Sequence, residues 1–205
     1  MIFEQAAAVP MAALTALQAL RDQGHIQSGQ KVLINGASGG VGTFAVQIAK
    51  SYGAEVTAVC STRHLDGLRA IGADHVIDYT REDFTHQGQA YDLILAANGY
   101  HSLADYKRVL PPRRIYVSTG GSMAQLFESM LLGPLMSMNG DRKIGSLSEV
   151  PNQKDLLVMK ELIETGKVIP VMDKCYPMNE AVQALCYVDA GHAHGKVVIT
   201  MSNPA

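Results

Sequence analysis

The residues best placed to do chemistry are Val32-Leu33-Ile34-Asn35-Gly36-Ala37-Ser38-Gly39-Gly40-Val41-Gly42. An apolar run ends in a glycine-rich turn, and a helical pattern from Thr43 to Lys50 follows at once. A buried strand, a tight turn and a helix start in this order make a site for a pyrophosphate. Glycines let the backbone approach the anion, and the helix start offers N–H groups that have no partner within the helix. The neighbouring apolar residues Ile34, Phe44, Ala45 and Ile48 suit a helix packed on a parallel sheet.

The next strand, Glu55–Cys60, tests which dinucleotide fits. An acid about 20 residues beyond the glycines commonly takes the ribose 2′-hydroxyl of NAD. Here the chain reads Ser61-Thr62-Arg63. A hydroxyl and a guanidinium suit a 2′-phosphate, which an acid would repel. The expectation is NADPH rather than NADH.

The elements that position these groups can be read along the chain. Residues 4–24 are expected to be a helix closing near Gly24. Strands are expected at Lys31–Asn35, Glu55–Cys60, His75–Ile77, Tyr91–Ala97, Arg114–Thr119 and about Lys143–Leu147. Helical patterns fall at about 40–52, 65–71 and 102–110, and a Met-rich one at 123–132 precedes Gly133-Pro134. Strands alternating with helices at this spacing predict an α/β fold, a Rossmann-type doubly wound parallel sheet. The tail adds a helix at 153–164, a strand at Val168–Asp173, a helix at 179–189 and a strand at Lys196–Met201. These late strands follow a completed sheet and are expected to lie outside it.

With 205 residues, 47% hydrophobic content and a net charge of −2, the chain can bury a sizeable core. Near-neutral charge argues against nucleic-acid or anionic-membrane partners, and no run is long enough to span a bilayer. Ala6 to Leu20 is apolar, but Glu4 stands where a secretory leader would be basic. Three scattered cysteines, Cys60, Cys175 and Cys186, predict reduced, mostly buried thiols in the cytoplasm. No CxxC or clustered Cys/His set is present, so no metal is expected. His192 and His194 lack a third ligand and read as loop residues.

Other nucleotide-binding classes fit less well. No Tyr has a Lys four residues later, as a short-chain dehydrogenase requires. Gly195-Lys196 is followed by Val197, which is not a P-loop ending. A methyltransferase would place an acid where Ser61 stands.

The segments AAAVPMAALTALQAL, VLINGASGGVGTFAVQIAK, GADHVIDY, ELIETGKVIPVMDKCYP and GHAHGKVVIT, in this order, resemble the medium-chain dehydrogenase/reductase superfamily. The similarity is greatest to its zinc-free, NADPH:quinone oxidoreductase-like branch and extends over nearly the whole chain. It implies a connecting helix at 1–24, a dinucleotide-binding domain at 25–150, and a segment at 151–205 that in the family completes a catalytic domain. Relatives begin with a GroES-like domain, which is expected to be missing here and would leave the two late strands without partners.

The resemblance implies that Ser38, Gly39, Gly40 and Val41 form the pyrophosphate turn, and that Ser61 and Arg63 meet the 2′-phosphate. Tyr79 would lie near the adenosine phosphate, and Thr119 and Gly120 would line the nicotinamide. Where the family ending often reads GHARGK, with an Arg that helps to hold the cofactor phosphate, this chain has His194. Lys196 keeps the family pattern but serves equally well as an ordinary strand-start lysine.

Two readings follow. One is an NADPH-dependent oxidoreductase that transfers hydride to a small quinone or α,β-unsaturated carbonyl without zinc. The other is a non-catalytic NADPH-binding module that needs a partner chain. No catalytic side chain can be named. The resemblance further implies a homodimer formed through the sheet edge at about Lys143–Leu147.

Overall fold

The computed structural model describes residues 1–98, 101–120, 142–147, 150–191 and 193–201. The expected Met-rich helix at 123–132 lies outside them. Six strands form one parallel sheet: β1 (Lys31–Asn35), β2 (Glu55–Cys60), β3 (His75–Asp78), β4 (Leu93–Ala96), β5 (Arg114–Ser118) and β6 (Arg142–Ser146). Their order is β3-β2-β1-β4-β5-β6. The chain therefore winds outward from β1 and then returns to lay β4 against its other side, so the winding reverses between β1 and β4. Crevices at the carboxyl ends of such strands are where ligands of doubly wound sheets bind.

Alternation along the strands feeds two cores. Val32 and Ile34 of β1, with Leu93 and Leu95 of β4, join the core on one face. Leu33, Ile94 and Ala96 join the core on the other. Strands buried on both faces read as continuous apolar runs, which is why β1 was legible. The first face is covered by α2 (Pro10–Gln18), α3 (Gly40–Ser51) and α6 (Gln153–Glu164). It also takes Leu68 of the short α4 (Leu65–Ala70). The second face is covered by α5 (Leu103–Val109), which contributes Leu103, Tyr106 and Val109. Among the described residues no helix is long and apolar enough to cross a membrane.

The amino-terminal helix is not one rod. It runs as α1 (Phe3–Ala8), then α2 from Pro10, then a π-helical turn at Ala19–Gln23. Pro10 sits at the first turn of α2, where its missing N–H costs nothing.

The tail corrects two expectations. β7 spans Met172–Pro177, later than the apolar run Val168–Val171 suggests. In that run Ile169 is held by a side chain: Gln47 Nε2 donates to the Ile169 carbonyl at 2.9 Å, and Gln47 Oε1 accepts from the Ile169 N–H at 2.7 Å. The late strands are also not partnerless. β7 pairs in parallel with β8 (Lys196–Thr200), and α7 (Ala181–Asp189) lies between them in the chain. This small unit cannot cover all its surface, so Cys175 and Cys186 are exposed; of the three free thiols only Cys60 is buried, against the expectation of mostly buried ones.

A polar knot fixes α6 on α2. The Asp155 carboxylate accepts from Arg21 Nη1 at 2.7 Å, Gln18 Nε2 at 2.8 Å and Asn152 Nδ2 at 2.8 Å. Asn152 in turn caps the helix by accepting from the Asp155 N–H. Arg21 is the main reason that Asp155 is held down to about 2. A carboxyl whose folded pKa is depressed stabilises the fold above its unfolded value, and this contribution is lost as pH falls through the folded one. Asp155→Asn is therefore expected to cost roughly 2 kcal/mol at neutral pH. Urea titrations should show the gap to the parent closing between about pH 4 and pH 2.

Candidate dinucleotide site

β1 delivers the chain into the glycine turn with Asn35 buried at its end. Gly36 takes a φ of +78°, which a Cβ would strain; one there would also lie 2.8 Å from the Asn98 nitrogen. Gly39 is the N-cap of α3 in extended geometry, and the first turn of that helix holds no acid. A Cβ on Gly42 would lie 2.3 Å from the Gly36 carbonyl oxygen, so only glycine lets the helix start pack against the turn. The first N–H groups of α3 lack intrahelical acceptors and point out of its end.

A cavity of about 470 Å³ opens beside this turn. Ser38 and Gly39 of the turn line it, as do Cys60 at the end of β2, Ser61, Arg63 and His64 after it, and Tyr79 after β3. Asn98, beyond β4, lines it too. Among the described residues that line it there is no carboxylate. Arg63 is exposed, and its Nε reaches Ser61 Oγ at 3.4 Å, a loose contact that leaves the guanidinium free to turn. The nearby acid, Asp78, is buried and occupied. It accepts from the Thr62 hydroxyl, from Thr80 Oγ1 at 2.7 Å and from the Thr80 N–H at 3.0 Å. The Thr62 bond is the main reason its carboxyl titrates below the usual range. Cys60 offers no nucleophile, because burial, aided by Asp78, pushes its thiol up to about 11.

The expected site residues thus divide into three groups. Ser38, Gly39, Ser61, Arg63 and Tyr79 come together on one cavity. Gly40 and Val41 are the first residues of α3, directly behind that wall. Thr119 and Gly120 lie at the carboxyl end of β5 and do not line it. The Thr119 hydroxyl is buried without a hydrogen-bond partner among the described residues.

The small β7–β8 unit supplies another wall, which motif reading did not assign. Gly191 and Ala193 line the cavity. The Gly195 N–H donates to the Ser38 carbonyl at 2.8 Å, and Gly195 bridges Gly39. The Lys196 side chain lies along the start of α3, its Nζ 3.6 Å from where a Gly40 Cβ would sit. Its placement is thus more than that of an ordinary strand-start lysine: a cation stands at the amino end of the glycine-turn helix. His194, which stands where the family often has an Arg that helps to hold the cofactor phosphate, does not line the cavity; it lies behind His64. Of the residues missed, only Asn35 left a local signal, an amide closing an apolar strand. His64 and Asn98 enter from the loops after β2 and β4, and Gly191 and Ala193 depend on how the tail docks.

Residues 71–199 match the family model described as zinc-binding dehydrogenase. The chain belongs to that family, within the medium-chain dehydrogenases/reductases. It is 32% identical to the mitochondrial NAD(P)H oxidoreductase RTN4IP1 of Mus musculus, over 96% of this chain and 55% of that protein. It is 34% identical to the 2-methylene-furan-3-one reductase of Solanum lycopersicum, over 96% of this chain and 47% of that one. The quinone oxidoreductase from Coxiella burnetii superimposes with a TM-score of 0.86 at 29% identity, over 98% of this chain and 62% of the other. The chain therefore spans about half to three fifths of the proteins it matches. In this zinc-binding dehydrogenase homologue, no group of three or more His, Cys, Asp or Glu among the described residues is placed to hold a metal ion.

Proposed function

We propose that the protein is an NADPH-dependent oxidoreductase of the zinc-independent, quinone oxidoreductase-like kind, reducing a small quinone or an α,β-unsaturated carbonyl. One observation carries the cofactor choice: Ser61 and Arg63 share a cavity with the glycine turn, and no carboxylate lines it among the described residues. The N–H groups of α3 and the Lys196 ammonium would hold the diphosphate; Ser61, Arg63 and Tyr79 would hold the 2′-phosphate. Thr119 and Gly120, at the end of β5, would border the nicotinamide.

When bound, the reduced nicotinamide supplies hydride. The chain's own share of the work is to anchor the two phosphate groups and so fix the distance from the turn to the β5 end. The acceptor gains a hydride and then one proton from water, giving a hydroquinone or a saturated carbonyl. The names of the relatives, an NAD(P)H oxidoreductase, a methylene-furanone reductase and a quinone oxidoreductase, support this class of acceptor.

Pairing of β6 edges, at the end of the sheet order, would join two copies as a homodimer. Three thiols that form no disulfide suit a reducing compartment such as the cytoplasm.

The test is NADPH oxidation by the purified chain with 9,10-phenanthrenequinone and, separately, an enone. Turnover that exceeds the NADH rate and survives a zinc chelator supports the proposal. NADPH binding with neither acceptor consumed would favour the binding-module reading instead.

A further inference from the structure

His64 lines the same cavity as Ser61 and Arg63, and no step above uses it. Its ring stacks on that of His194, with centroids 4.8 Å apart and planes 11° from parallel. His194 is held in place by two further contacts. Its N–H donates to the Asp173 carboxylate at 3.0 Å, and its ring abuts Gly67, where a Cβ would come within 2.9 Å of Nε2. Its Nδ1 is buried with no partner among the described residues. One ring of the pair thus faces the cavity while the other is a fixed shelf behind it.

We propose that His64, seated on His194, is a proton-accepting contact for the ribose 2′-phosphate, so that NADPH binding takes up a proton and NADH binding does not. This rests on reading the cavity as the dinucleotide site. Burial, the neighbouring ring and Arg63 all oppose charge on His64, which is held below the usual imidazole range. Burial does the same to His194. Asp173 on β7 acts in the opposite sense on both. It is itself engaged by the Tyr187 hydroxyl of α7 at 2.7 Å, and Lys174 stands over that tyrosine ring. Asp66, on α4, pairs with Arg69. A dianion arriving beside Arg63 offsets that residue's repulsion of charge on His64 and favours the imidazolium. Two rings stacked this closely accommodate one proton between them, not two.

The sign follows from linkage. Below the free pKa of His64 the ring is already charged, so NADPH binds most tightly and no proton is taken up. Between the free and loaded values a proton enters on binding, and NADPH affinity falls by up to about tenfold per pH unit. Above the loaded value affinity is lowest and flat. NADH affinity has no such slope.

Calorimetric titration of the whole chain in buffers of different ionisation heat, near neutral pH, reads the proton directly. NADPH should show greater proton uptake with the parent than with His64→Gln. The 2′-phosphate's own titration enters both and cancels in the difference. His64→Gln should weaken NADPH about tenfold and leave NADH unchanged. His194→Gln, which removes the shelf but not the contact, should flatten the pH profile of NADPH affinity.

Equal proton uptake by parent and His64→Gln overturns the proposal. So does an equal loss of NADPH and NADH affinity, which would make the ring a support for the adenine. If neither dinucleotide binds the parent, the reading of the cavity fails, and this inference falls with it.

Discussion

Gly42→Ala is expected to give a protein that melts well below the parent and binds no dinucleotide. The added methyl would lie 2.3 Å from the Gly36 carbonyl oxygen and 2.6 Å from two backbone atoms of Ala37. None of these is a side-chain tip that can swing away, so the start of α3 must part from the turn. Overpacking against backbone costs about 3 kcal/mol or more. Gly39→Ala is the informative contrast. Its φ of −77° suits any residue, and among the described residues an added Cβ would meet nothing nearer than the Gly36 oxygen at 3.6 Å. That variant should keep its melting temperature to within the effect of about 0.5 kcal/mol. Because Gly39 lines the cavity, its methyl would occupy space meant for the diphosphate, and NADPH affinity should fall by roughly 10- to 100-fold. Thermal melts and fluorescence titrations on the pair separate fold from site. Equal NADPH affinity in Gly39→Ala and the parent would remove the turn from the account.

The second large effect is a change of cofactor preference. Arg63→Ala should lower NADPH affinity by roughly 10- to 100-fold, the range of a hydrogen bond to a charged group, and leave NADH affinity unaltered. Stability should not change, since Arg63 is exposed and its hydrogen bond to Ser61 is long. Ser61→Asp should go further. A carboxylate at the end of β2 would repel the 2′-phosphate and accept from a 2′-hydroxyl, so NADH should become the tighter ligand. Asp78 cannot substitute for it, since Thr62 and Thr80 hold its carboxylate away from the cavity wall. Competition titrations with the two dinucleotides give both numbers. A parallel loss of both affinities in Arg63→Ala would show that the guanidinium does not read the 2′ position.

The sheet and its glycine turn were legible because they rest on local signals. β1 is an apolar run that closes in glycines, and α3 follows without a gap; each local preference agrees with the final fold. The tail was harder. Val168 to Val171 has the composition of a strand, yet both backbone groups of Ile169 are taken by the side chain of Gln47, far away in the sequence, and the Val168 N–H goes back to the Leu162 carbonyl. No spacing rule announces such a pairing, and β7 accordingly begins at Met172. Nor could the sequence foretell that β8 would lie against the turn. The Gly195 bond to Ser38, the path of Lys196 along α3 and the stack of His194 on His64 are long-range contacts. The half of the site built from β1 and β2 was therefore readable by motif. The half contributed by the β7–β8 unit was not.

The central claim is that this cavity holds a reduced dinucleotide and chooses it by the 2′-phosphate. Titration of the purified chain with NADPH and with NADH, followed by cofactor fluorescence, tests it most directly. The account predicts saturable binding of both, with NADPH the tighter by at least about tenfold, the worth of one charge-assisted contact. Tighter binding of NADH, or binding of neither, would contradict it.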